Sequence, residues 1–189
     1  MFGGRIYGND KSAILCDVEA YDIIANKWER MAAMTRRRCS GMSLVFDGFI
    51  YVFGGFSSVG KRSRVIEKYN HNNNTWTPYD LKLDISLESA LLLNSPNSPG
   101  KFMLLGGNCG SGLLKSNRTY SFAEETILTE IGDFQNSRAM VKGFLYDNKI
   151  FVFGGDKTKT NLVNTTEMCD LTLPQKEFTI QEFGGKHVL

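Results

Sequence analysis

Asp47-Gly48-Phe49-Ile50-Tyr51-Val52-Phe53-Gly54-Gly55 joins a turn dipeptide, five consecutive apolar residues and a diglycine. Asp-Gly tolerates the positive φ angles of a two-residue hairpin turn, and the run after it is of strand length. With no polar alternation, that run reads as a strand buried on both faces. The residues ahead of the turn, Met42 to Phe46, supply its antiparallel partner. The same arrangement recurs at Asp147-Asn148, flanked by Val141 to Tyr146 and by Lys149-Ile150-Phe151-Val152-Phe153, and closed by Gly154-Gly155. Gly3-Gly4 and Gly106-Gly107 complete a series with steps of 51, 52 and 48 residues. Lys101-Phe102-Met103-Leu104-Leu105 leads into the third diglycine. Its preceding turn is expanded to Asn94 through Gly100, whose prolines exclude it from a central strand.

A second signal follows the diglycines. Tyr21 and Trp28 stand seven positions apart, as do Tyr69 and Trp76, with polar turn material between them. Each repeat therefore reads as four antiparallel strands: A, B ending in Gly-Gly, C carrying Tyr and D carrying Trp. Glycine at the end of B removes bulk where backbones come close, and Tyr and Trp bring buried area with polar tips. One such sheet cannot bury both faces, whereas several stacked around an axis can, and a period near 50 residues belongs to propeller-type or array architectures.

Composition agrees with this reading. The chain has 189 residues, 42% hydrophobic, 12% aromatic and 22% charged, close to the globular average. Lys plus Arg is 22 against 20 Asp plus Glu, too even for a general nucleic-acid binder. No apolar run reaches the roughly 18–20 residues that a membrane span needs. Cys16, Cys39, Cys109 and Cys169 are widely spaced and only His71 and His187 could assist them, so no metal site and no cofactor are expected. Isolated thiols also fit a reducing compartment, and a cytoplasmic setting is expected.

The diglycine, the Tyr and the Trp seven residues on, repeating at about 50 residues, resemble the kelch repeat, a β-propeller blade. The match is full in the first two repeats. The third keeps Gly106, Gly107 and Tyr120 but has Ile127 where Trp is expected, and the fourth keeps Gly154, Gly155 and Glu167 but has Cys169 for Tyr, with Phe178 nearest to the Trp position. Arg38 and Arg138, each 16 positions before a diglycine, match an arginine that often opens kelch repeats. The resemblance implies an all-β propeller segment of about four blades, each a four-stranded antiparallel sheet. Their spans are 1–33, 34–84, 85–134 and 135–183, the first entering inside strand B. Gly184-Gly185 comes too soon to open a fifth. Ring closure is expected from sequence outside this chain or from another chain. The expected core is Tyr51, Phe53, Tyr69, Trp76, Phe102, Tyr120, Phe151 and Phe153, with Tyr21 and Trp28 in the first blade.

For function, catalysis finds little support. Gly55-Phe56-Ser57-Ser58-Val59-Gly60-Lys61-Arg62 approaches a phosphate-binding loop but has Arg62 where a magnesium-holding Ser or Thr belongs, and no helical pattern follows. Copper-oxidase kelch proteins need several His and Tyr ligands, and two histidines are too few. Loop charge is more informative. In a propeller the B–C and D–A loops emerge on one side. Here they carry Arg5, Lys11, Lys61, Arg62, Arg64, Lys115, Arg118, Lys157 and Lys159, with Arg36, Arg37, Arg38 and Arg138. Arginine grips carboxylates in bidentate pairs, so Arg36, Arg37, Lys61, Arg62, Arg64, Lys115, Arg118, Lys157 and Lys159 are the expected contacts for acidic protein segments. Stacking aromatics are few, which disfavours nucleic acid. The resemblance thus implies a non-catalytic interaction scaffold, a subunit of a larger cytoskeletal or ciliary assembly. A substrate-recognition module of a ubiquitin-ligase adaptor is the alternative, and a kelch-type enzyme the remaining class.

Overall fold

The computed structural model describes residues 1–7, 12–57, 61–124, 126–128, 131–157 and 162–181, with backbone alone at 12 and 126–128. Lys11, Ser58 to Gly60, Lys159 and Gly184-Gly185 lie outside the described residues, as does the side chain of Ile127. The regular structure among them is entirely β. In chain order the strands are β1 (Arg5–Tyr7), β2 (Ser12–Ile14), β3 (Val18–Asp22), β4 (Lys27–Met31), β5 (Met42–Phe46), β6 (Phe49–Phe53), β7 (Val65–Asn70) and β8 (Thr75–Lys82). They continue as β9 (Leu91–Asn94), β10 (Lys101–Leu105), β11 (Asn117–Ser121), β12 (Thr126–Leu128), β13 (Lys142–Tyr146), β14 (Lys149–Phe153), β15 (Thr166–Asp170) and β16 (Thr179–Gln181). Among the described residues, no helix is long and apolar enough to cross a membrane.

The strands form kelch-type propeller blades. Three meandering antiparallel sheets, β5-β6-β7-β8, β9-β10-β11-β12 and β13-β14-β15-β16, are four-stranded. The first blade holds β3 and β4, with Phe2 bridged antiparallel to Val18 as a stub of strand B. The ladder sets Tyr21 opposite Trp28 and Tyr69 opposite Trp76, while Tyr120 faces Ile127. The A–B turns carry the positive φ values that their residues tolerate: Asp47 at 47° with Gly48 at 73°, and Asp147 at 47° with Asn148 at 56°.

Two compact units divide the chain, Met1–Ser89 and Ala90–Leu189. In the first, Val18 and Met34 pack on Val52, Tyr69 and Trp76, joining the first blade to the second. In the second, Met103, Leu105, Ile131 and Phe134 pack on Val141, Ile150, Val152, Cys169 and Phe178, joining the third to the fourth. The Cys169 thiol sits in that core, and burial pushes its pKa up to about 11.

The diglycines show why the repeat needs them. Gly54 has φ +58°, and a Cβ there would stand 2.2 Å from the Leu87 carbonyl oxygen. Gly55 donates its N–H to that same carbonyl at 2.8 Å, and Gly4 and Gly107 do likewise to Arg38 and Arg138. At these three diglycines a chain segment thus docks its backbone on the glycine N–H, and at Gly54 a side chain would block it.

Four expected core residues are placed otherwise, Phe151 among them, half-buried on the face of its strand that Phe153 shares. Tyr21 and Trp28 are 44% and 58% exposed, because no described element covers the side of the first blade that they occupy. Phe153 is 37% exposed for the corresponding reason at the fourth blade. Strand alternation sends Ile150 and Val152 into the core and Phe153 to the opposite face.

Candidate functional site

Arg36 and Arg37 come from the segment after β4, and Lys61 and Arg62 from the loop after β6. With Arg38, Ser57 and Ser63 they line one open cavity of about 340 Å³. Local pairing brings them together. Phe56, the residue after Gly55, bridges to Cys39 on one side and to Arg62 on the other, so the B–C loop is clipped to the D–A segment. The same clip recurs where Asp156 bridges Ala139 and Leu162. In the first blade, β1 and β2 extend this loop into a short ribbon, an element that the sequence reading treated as plain loop.

The charges in the cavity are not equivalent. Arg36 and Lys61 are exposed. Arg37 is also exposed, and its Nη1 donates to the Ile14 carbonyl at 3.1 Å. Arg62 is mostly buried, and its Nη2 lies 2.7 Å from a Glu88 carboxylate oxygen. The Arg62 and Arg5 guanidiniums lie 5.7 and 5.3 Å from the centre of the Phe56 ring, within cation–π range. Phe56 thus holds two cations at the rim. Arg62 Nε is buried without a hydrogen-bond partner.

Arg38 forms the floor and belongs to the scaffold. It is buried, donating from Nη1 to the Gly54 carbonyl at 2.7 Å and from Nη2 to a Glu67 carboxylate oxygen. The other Glu67 oxygen accepts the Thr35 N–H at 2.7 Å and the Thr35 hydroxyl at 2.6 Å. Arg138 repeats the motif with Glu167, which also accepts the Gln135 N–H at 2.8 Å. Burial lowers both arginine pKa values, and the facing carboxylates pull them back up.

The other expected contacts are placed separately. Arg64 Nε donates to the Leu83 carbonyl at 2.5 Å, which ties it to the chain leaving β8. In the second unit Lys115 and Lys157 are exposed on the loops after β10 and β14. Arg118 is not on a loop. It lies within β11, half-buried, opposite Leu104. Val52 faces Glu67 and Val152 faces Glu167 at the same register, so Arg118 holds the position that a glutamate holds in the second and fourth blades. The sequence reading missed Glu67, and it placed Glu88 among the acidic loop residues without its pairing to Arg62. Glu67 and Glu167 each follow their arginine by 29 residues, a spacing that superposing the repeats would have exposed. No such spacing marks Glu88. Among the described residues, no three His, Cys, Asp or Glu side chains gather as metal ligands.

Comparison with known proteins agrees with this architecture. The kelch motif matches residues 2–35 and 37–79. Kelch-like protein 23 of Homo sapiens is 41% identical over 59 residues, 31% of this chain and 11% of the relative. Alpha-scruin of Limulus polyphemus is 33% identical over 57 residues, 30% of this chain and 6% of that protein. Kelch-like protein 38 of Rattus norvegicus is 25% identical over 149 residues, 78% of this chain and 24% of its own length. The chain therefore spans a quarter or less of each of these relatives. The solved structure of YjhT covers 97% of this chain and 66% of its own at a TM-score of 0.76 and 17% identity, a likeness of fold.

Proposed function

Since the chain is a kelch-repeat protein made of antiparallel blades, we propose that it is a non-catalytic protein-interaction module that docks acidic segments of its partners. The convergence of Arg36, Arg37, Lys61 and Arg62 on one open cavity carries this reading. Four cations around a single concavity favour an anion, and the planar fork of arginine selects carboxylates in pairs. The Ser57 and Ser63 hydroxyls add neutral donors to the lining. A scaffold role in a cytoplasmic, cytoskeletal or ciliary assembly follows as the setting in which glutamate-rich chains, such as tubulin tails, are the acidic segments offered.

The test is fluorescence anisotropy with a labelled ten-residue glutamate peptide. Arg36→Glu combined with Lys61→Glu changes exposed residues and spares the Arg62–Glu88 pair and the buried Arg38. Affinity is expected to fall at least tenfold, about 1.4 kcal/mol, and wild-type binding to weaken steadily with salt. Unchanged affinity in the double variant, or salt-independent binding, would remove the cavity from the proposal.

A further inference from the structure

Two turns of the second unit depart from the repeat, and they meet. The A–B turn of the third blade spans residues 95–100, where those of the second and fourth blades span 47–48 and 147–148. The C–D turn of the fourth blade spans residues 171–178, where those of the first and second span 23–26 and 71–74. Neither expansion alters the sheet, since β9 still pairs antiparallel with β10 and β15 with β16. Between the two turns lies a cavity of about 80 Å³, lined by Ser95, Asn97 and Ser98 from one and by Lys176 from the other. Both turns are anchored. Asn97 Nδ2 donates to Asn148 Oδ1 at 3.1 Å, and the Gly132 N–H donates to the Lys176 carbonyl at 2.7 Å.

Thr119 lines the same cavity from β11. It stands opposite Met103, on the side of the third blade that packs against the fourth. Thr119 is 2% exposed, and its hydroxyl has no hydrogen-bond partner. An unbonded buried hydroxyl is costly, and Val would fill the same space without that cost. The hydroxyl therefore points to a ligand. One water needs roughly 10–15 Å³ of such space, and this cavity is several times larger. Lys176 supplies the charge. Asp170, just before the same turn, is held by Lys149 and by the Thr172 hydroxyl, and no ion pair among the described residues takes up Lys176. Its ammonium acts on the buried Cys169 thiol, opposing the rise in pKa that burial causes there.

We infer that this cavity binds a phosphate group, either as the free ion or as the head of a monoester. Phosphate presents oxygens in several directions, which suits hydroxyls converging from separate elements. The Thr119 hydroxyl donates from within, the Ser95 and Ser98 hydroxyls donate from the expanded A–B turn, and Lys176 neutralises the charge. Lysine serves phosphate as a point charge, whereas the planar arginine fork that matches carboxylates is absent from this lining. Ile131 and Leu171 complete the wall, and low local dielectric strengthens hydrogen bonds to the bound anion. The site shares no residue with the basic cavity and does not rest on the proposal made for it.

The probe is inorganic phosphate, titrated by calorimetry into the whole chain carrying Arg36→Glu and Lys61→Glu, so that the basic cavity does not contribute. The expected result is saturable binding, weakened about tenfold or more by Lys176→Gln and by Thr119→Val, and retained by Thr119→Ser. Lys176 is half-buried on a turn, so Lys176→Gln spares the fold, and Thr119→Val keeps the shape of the side chain. Phosphoserine titrated in the same way separates the two sources: tighter binding than phosphate identifies a monoester, weaker binding the free ion. Absence of binding by both ligands overturns the inference, because the cavity then holds water alone. Binding that neither Lys176→Gln nor Thr119→Val changes overturns it as well. So does acetate bound as tightly as phosphate, since the cavity would then be a carboxylate site.

Discussion

Arg38 and Arg138 are the residues whose spacing from the diglycine was legible and whose carboxylate partners were not. Their guanidiniums belong to the scaffold, because Glu67 and Glu167 reach them inside the blades. The partner carboxylate lies 29 residues away on another strand, and charge counts along the chain cannot show which opposite charges meet. A buried pair adds little over well-packed apolar groups, but one stranded charge is costly. Arg138→Leu alone is therefore expected to cost about 3–5 kcal/mol in urea unfolding. Adding Glu167→Gln, which keeps an acceptor for the Gln135 N–H, is expected to restore at least half of that. A double variant no more stable than Arg138→Leu would mean that the loss comes from packing and not from the unpaired carboxylate.

Elements were the most legible level. Strand B and its partner follow from an apolar run between a turn dipeptide and a diglycine, because a two-residue turn fixes the register of both arms. What escaped was the structure of the B–C loops, where Phe56 and Asp156 bridge on both sides. Single bridges in polar, glycine-rich loops leave no hydrophobic period to read. Arg118 was misplaced for a related reason. In Asn117-Arg118-Thr119-Tyr120-Ser121 polar residues outnumber apolar ones, so the start of β11 passes for loop. Glycine substitutions separate conformation from close approach. Gly154 has φ +63°, and among the described residues the nearest atom to a Cβ there, the Val163 carbonyl oxygen, would be 3.9 Å away, so Gly154→Ala is expected to cost about 1–2 kcal/mol, the left-handed penalty alone. Gly54 has almost the same φ but faces the Leu87 oxygen at 2.2 Å. Gly54→Ala is expected to exceed the Gly154→Ala cost by about 2 kcal/mol, because overpacked backbone has to move. Equal shifts in denaturation midpoint would mean that the chain leaving β8 does not dock on Gly54 in solution.

At the scale of the molecule, stability resides in blade-to-blade faces, and residues of one type differ in worth according to which face they occupy. The sequence reading assigned Tyr21, Trp28, Tyr69 and Trp76 to one core because the repeat makes them equivalent. Equivalence in a repeat predicts local geometry, which holds for both ring pairs, but burial depends on what stacks next. Trp76 is 8% exposed, lies against Phe2 at 6.2 Å between ring centres, and donates to the Ala32 carbonyl. Trp28 has its ring on Tyr21 and more than half of its surface exposed. Phe keeps an aromatic ring and much of the apolar area but removes the indole N–H and part of the ring volume, so comparing the two sites side by side reads the contact between blades. Trp76→Phe is expected to cost about 1–2 kcal/mol by leaving a backbone carbonyl underbonded. Trp28→Phe is expected to stay within about 0.5 kcal/mol, as exposed substitutions do. Thermal and urea unfolding of the two variants side by side measure the difference. If Trp28→Phe proved as costly as Trp76→Phe, the outer face of the first blade would be covered in solution.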